Sequence, residues 1–110
     1  MEVAFHPAAA EEFRALPASE RRAIQAAVEK LEAYADLLGF PHTSNVKNAD
    51  RLRELRPRAG RSPWRALYRR VGDTMVIAAV GPEAGVNPRG FRSAVRYAQA
   101  RLAEIEEGEA

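Results

Sequence analysis

Between Leu52 and Val80 the chain reads LRELRPRAGRSPWRALYRRVGDTMVIAAV, and this stretch restricts the fold more than any other. Apolar residues alternate with arginines on both sides of a loop over Ala59–Pro63. A Gly72-Asp73 pair then separates two strand-like runs, which is a hairpin signal. The pattern predicts three consecutive antiparallel strands, at about 53–58, 64–71 and 74–80. Met75, Val76, Ile77 and Val80 make the last strand apolar on both faces, so it belongs in the middle of a sheet covered on both sides. Strand alternation also sorts the charges. Arg65, Leu67 and Arg69 share one face, Glu54 and Arg56 share a face of the preceding strand, and Tyr68 points the opposite way from Arg65.

The flanking segments read as partners for such a sheet. Val3 and Phe5 alternate in a short first strand, expected at the sheet edge or beside the last strand. Pro7 suits the first turn of a helix over Ala8–Leu16, which Pro17 ends. Ser19 is positioned to cap a second helix reaching about Leu38, with Ile24, Val28, Leu31, Ala35 and Leu38 on one stripe. Gly39 and Pro41 stop it, and residues 40–51 read as a polar connector. Pro88 opens a final helix to about Glu107, striped by Phe91, Val95, Ala98, Leu102 and Ile105. The expected order is β-α-α-β-β-β-α. That is a single α+β domain over residues 1–110, a small antiparallel sheet packed by an N-terminal helical hairpin and a C-terminal helix.

Charge is distributed unevenly. Residues 1–46 hold four Lys/Arg and seven Asp/Glu, residues 47–101 thirteen against four, and residues 102–110 four Glu only, which makes the formal net charge of +2 a sum of −3, +9 and −4. A basic centre between acidic ends points to a polyanionic partner for one surface. All but Lys30 and Lys47 of the cations are arginines, which favour bidentate phosphate contacts. The absence of cysteine excludes disulfides, a thiolate nucleophile and a Cys-based zinc site. His6 and His42, far apart, do not suggest a metal site, and no cofactor is expected. No signal-like segment or membrane-length apolar run is present, so a cytoplasmic protein without membrane contact is expected.

The order of elements, together with LRELRP, then G-R-SPWRALYRR, a hairpin and an apolar strand, resembles the RelE/HigB/ParE toxin superfamily, and within it the phage-protein-Gp49-like HigB branch. Glu54-Leu55-Arg56 and Arg65-Ala66-Leu67-Tyr68 are the most specific pieces, and the resemblance extends from Val3 through the final helix. It implies a RelE-like toxin of a type II toxin–antitoxin pair, acting as a ribosome-dependent mRNA endoribonuclease. It also implies an antitoxin partner, often with a helix-turn-helix DNA-binding domain. Relatives often place lysines or histidines in the loop after the last strand. Here that loop reads GPEAGVNPRG, with Arg89 as its only cation, which moves acid–base work to other groups.

Metal-free RNA cleavage requires deprotonation of the 2′-OH, stabilisation of a pentacoordinate phosphorane and a proton for the leaving 5′-oxygen. Arg65 is the candidate for transition-state stabilisation and Arg56 for holding the phosphate. Ion pairing of both with Glu54 or Asp73 is the structural alternative. Glu83 and His42 are candidate proton-transfer groups. Lys47, Arg58, Arg61, Arg69, Arg89 and Arg92 are candidate RNA contacts. Arg89, Arg92 and Arg96 form one helical stripe, suited to nucleic acid or to an acidic antitoxin segment. Two other readings stay open, a ParE-like gyrase inhibitor without catalysis and an accessory module that binds RNA only.

Overall fold

The computed structural model describes residues 1–109. Its elements are β1 (Glu2–Phe5), α1 (Pro7–Arg14), α2 (Ala18–Tyr34), β2 (Thr43–Asn45), β3 (Arg53–Leu55), β4 (Trp64–Val71), β5 (Thr74–Pro82) and α3 (Pro88–Glu109), with short 3₁₀ turns at Ala35–Leu37 and Pro57–Gly60. The sheet order is β1-β5-β4-β3-β2. The α+β architecture and the placing of β5 inside the sheet follow the expectation. Two features correct it. The stretch read as connector contains β2, paired antiparallel to β3 through Ser44 and Glu54. The sheet is mixed, because β1 runs parallel to β5 at its outer edge.

The sheet separates two apolar layers. On one side α1 and α2 bury Ile24, Val28 and Leu31 against Leu55, Ala66, Tyr68 and Ile77. On the other, α3 buries Ala94, Ala98 and Leu102 against Leu67, Val76 and Ala78. Strand alternation therefore assigns each charged side chain of β3 and β4 to a definite layer, and Arg65 and Glu54 fall on the α3 side. A bulge sharpens this. Leu67 pairs with Ala79 and Tyr68 with Ile77, leaving Ala78 as the extra residue. Beyond Ile77, β5 has no neighbour on its β1 side, and two side chains take over. Glu12 Oε1 accepts the Val80 N–H at 3.0 Å, and Arg101 donates to the Ala78 carbonyl at 2.8 Å. Arg101 and Glu12 are themselves joined by a two-pronged ion pair, so α1, β5 and α3 meet at this edge.

Local chemistry moves several boundaries. Nδ1 of His6, not a hydroxyl, caps α1 by accepting from the Ala8 N–H. Ser19 makes no capping bond, since α2 starts at Ala18 behind Pro17. Ala35 at φ 47° ends α2 before Leu38, which is buried through the following 3₁₀ turn instead. β3 stops at Leu55 because Pro57, lacking an N–H, turns the chain. Among the described residues no helix is long and apolar enough to cross a membrane.

Candidate functional site

On the α3 side, at the end of the sheet where β3 and β5 finish and β4 begins, four charged side chains meet. The Glu54 carboxylate accepts from Ser44 Oγ and from Arg56 Nη1, each at 3.1 Å, and lies 3.7 Å from Arg65 Nε. Arg65 Nη2 reaches Glu83 Oε2 at 3.0 Å and the Gly60 carbonyl at 3.2 Å. Its Nη1 donates to the Ser62 and Trp64 carbonyls at 2.7 and 2.8 Å. Arg56 Nε donates to the Pro41 carbonyl, and its guanidinium lies over the Phe40 ring, 5.1 Å from the centroid.

The two arginines singled out by strand parity do converge, and what joins them is the carboxylate of Glu54. Their exposures set them apart. The Arg65 side chain is only 2% exposed, against 21% for Arg56 and 30% for Glu83. Burial lowers the Arg65 pKa, opposed chiefly by Glu54; arginine nonetheless stays protonated at neutral pH. With four bonds into the protein, its guanidinium braces two carboxylates and the loop before β4, and no donor faces solvent. The expectation that Arg65 itself meets a phosphate is therefore corrected by its burial. Arg56 is the arginine of this pair with a surface to offer.

The loop Pro57–Pro63 is held by unusual means. Arg58 and Ala59 both have φ of 55° and Gly60 has φ of 94°. Non-glycine residues in this region cost roughly 1 kcal/mol or more each, so the surroundings must compensate. Glu20 of α2 does so by accepting from Arg58 Nη1 at 2.8 Å and Ser62 Oγ at 2.7 Å. The Arg58 bond, followed by the Ser62 bond, lowers the Glu20 pKa. A side chain at Gly60 would meet Arg56 Nη2 at 2.5 Å, so glycine also permits that close approach.

The remaining candidates divide between the two sides. Lys47 and Arg92, with Arg96, rim a cavity of about 320 Å³ between the β2–β3 turn and α3, with Val46, Phe91 and Val95 as its apolar wall. Val46 packs in the α3-side apolar layer, so this basic cleft lies on the same side of the sheet as the charged cluster. Arg61 and Arg89 are exposed nearby in chain terms, at the loop before β4 and the start of α3. Arg69 is taken up internally, by Glu106 Oε1 at 2.6 Å and the Asp50 carbonyl at 2.7 Å, which corrects its expected role as a free RNA contact. His42 lines cavities on the α2 side together with Lys30, across the sheet from Glu83. Arg58 is half given over to Glu20. Sequence reasoning missed Ser44 and Ser62, since neither stands in a recognisable strand or cap pattern. It also missed Glu20, whose loop contacts span some 40 residues. Among the described residues no group of three metal-ligating side chains occurs.

Residues 11–81 match the family model described as Phage derived protein Gp49-like. The fold is similar to a chain of the intact E. coli RelBE toxin–antitoxin complex, with 16% identity and a TM-score of 0.54 over 74% of this chain and 95% of that one. It is also similar to a doubly substituted E. coli toxin RelE in the free state, with 14% identity and a TM-score of 0.59 over 86% of this chain and 94% of the other. No curated protein sequence matches the chain.

Proposed function

This chain belongs to the Gp49-like family, and we propose that it is the toxin of a toxin–antitoxin pair, an endoribonuclease that cuts mRNA on the ribosome without a metal ion. The observation that carries the reading is the Glu54–Arg56–Arg65–Glu83 cluster, on the same side of the sheet as a separate basic cleft rimmed by Lys47, Arg92 and Arg96. Its partners in this reading are the ribosome with its mRNA, and a protein antitoxin carrying a helix-turn-helix domain.

The residues divide the work by exposure. Lys47 and Arg92, joined by Arg61 and Arg89, hold phosphates flanking the scissile one, which makes binding salt-dependent. Arg56 faces the scissile phosphate and stabilises charge as the phosphorane forms. Glu83, the more exposed of the two carboxylates, accepts the 2′-OH proton as the 2′-oxygen attacks phosphorus. The 5′-oxygen leaves with a proton returned from the same carboxyl group, giving a 2′,3′-cyclic phosphate and regenerating Glu83. Arg65 acts through Glu54 and Glu83 as a positioning residue. His42 faces the other side of the sheet and has no part in this scheme.

A ParE-like inhibitor of gyrase is the second reading, and the absence of a histidine from the cluster favours it. Induced expression in growing cells, with mapping of mRNA 5′ ends, separates the two. The ribonuclease reading expects new 5′ ends within translated frames that disappear with Glu83→Gln. Growth arrest with intact mRNA and an SOS response would replace it by the gyrase reading.

A further inference from the structure

The α2 side of the sheet carries a groove that the cleavage scheme touches only through Arg56, on its far wall. Two cavities of about 360 and 370 Å³ run along α2 and share Lys30 and His42. The first has an alanine floor, Ala23, Ala26 and Ala27, between Arg22 and Lys30 on one wall and Arg56 and Arg58 on the other. The second is walled by Tyr34, Leu37 and Phe40.

Several features of this groove are unexplained by the fold. Arg22, Ala26 and Lys30 follow i, i+4, i+8 spacing and so form one stripe of α2. Among the described residues, neither Arg22 nor Lys30 has a carboxylate partner, in contrast to Arg58 and Arg56. Leu37 is 89% exposed, Phe40 74% and Tyr34 58%, a cluster of large apolar side chains within seven residues of chain. Clustered apolar exposure of this kind marks an interaction surface. Charge and apolar surface are also segregated, with Arg22, Arg56 and Arg58 along the first cavity, Tyr34, Leu37 and Phe40 around the second, and Lys30 at the junction.

We propose that this groove receives an acidic, amphipathic segment of a protein partner. Its carboxylates sit at Arg22 and Lys30, and its apolar side chains fill the pocket of Tyr34, Leu37 and Phe40. The proposal deepens the toxin reading and rests on it in one respect, that the partner is the antitoxin. Segregation is what selects a polypeptide over RNA. A nucleic acid carries a charge at every nucleotide and would bring phosphates onto the apolar half, whereas a peptide places its charges at one end only. The alanine floor lets such a segment approach the helix closely. Bound there, it lies across the sheet from Glu54 and Glu83 and leaves the basic cleft at Lys47 and Arg92 open.

The test is selection of a random display library, peptides of about 16 residues, on the full chain. Selected peptides are then measured against the parent, an Arg22→Glu/Lys30→Glu variant and a Tyr34→Ser/Leu37→Ser variant. All four positions are exposed, and thermal unfolding confirms that both variants keep the fold. Expected are peptides with an acidic cluster next to apolar residues, of roughly micromolar affinity, each variant weakening them about tenfold or more. A short oligouridylate, measured in parallel, is expected to bind both variants as it binds the parent. An empty selection, peptides lacking acidic residues, binding retained by both variants, or oligouridylate lost in step with the peptides would each overturn the proposal. Growth on induction reports on the toxin reading separately. Arrest without selected peptides removes the groove alone, and selected peptides without arrest remove the toxin.

Discussion

The strand arginines that face α3 and the cations along α2 are treated in opposite ways. On the α3 side, Arg65 and Arg69 are enclosed, Arg65 bonded to Glu83 and three backbone carbonyls and Arg69 to Glu106 and the Asp50 carbonyl. On the α2 side, Arg22 and Lys30 stand exposed along a groove without carboxylate partners among the described residues. The enclosed arginines hold parts of the molecule in place, while the exposed cations remain available to something else. An arginine count therefore says little about a polyanion site until burial separates the two kinds. The basic centre of the sequence contains both.

The largest expected effect lies on the enclosed side. Arg65→Ala leaves Glu54 and Glu83 facing each other without their shared cation and strips three carbonyls of a donor. Removing one partner of a buried ion pair costs about 3–5 kcal/mol, read as a fall in the urea midpoint without loss of cooperativity. The matching change on the other side, Lys30→Ala, is expected to stay within about 0.5 kcal/mol of the parent. Equal losses would erase the distinction between the sides.

Next in size is an effect on activity with little on stability. Glu83→Gln keeps a hydrogen-bond acceptor for Arg65 while removing the base, so cleavage is expected to fall about 10²–10⁴-fold with the fold intact by circular dichroism. Arg58→Ala loses the Glu20 bond and releases the left-handed loop. It is expected to cost on the order of 1–3 kcal/mol, measured by the same urea titration.

The pH dependence is subtler. The carboxyl pKa of Glu20 is lowered in the folded protein from its ordinary 4.5, first by the Arg58 bond and then by Ser62. A lowered folded value means the unfolded chain binds the proton more readily. The stabilisation is thus complete above the unfolded pKa and is lost as pH falls through the folded one. Glu20→Gln is expected to flatten the acid limb of stability against pH and leave neutral pH-dependence unchanged. The smallest effect is on RNA affinity. Lys47→Ala and Arg92→Ala are each expected to reduce the salt slope of single-strand binding by about 0.7, and Arg22→Ala to leave it unchanged.

How much of this could be read from the sequence follows from which forces are local. Alternation along β4, from Trp64 to Val71, and the double-sided apolar run of β5 are local, and they placed three strands and the faces of Glu54, Arg56 and Arg65. The Thr43–Asn45 strand was not legible, because three polar residues gain their order from β3, across an intervening turn. The left-handed Arg58 and Ala59 were equally hidden, since neither residue type favours that conformation and Glu20 supplies the restraint from α2. The burial of Arg65 depends on the carbonyls of Gly60, Ser62 and Trp64, which converge only after that loop has formed. Parity alone could bring the two arginines to one face, but it could not say which of them solvent reaches.

The central claim, that the α3-side cluster cleaves RNA through Glu83, is tested most directly with purified protein on mRNA-programmed ribosomes in the presence of EDTA. Single-turnover cleavage is compared between the parent chain and Glu83→Gln. The expected result is cleavage by the parent in EDTA, a 2′,3′-cyclic phosphate on the upstream fragment, and a rate lower by about a hundredfold or more in the variant. Cleavage at the parental rate by Glu83→Gln, or no cleavage by the parent, would contradict it.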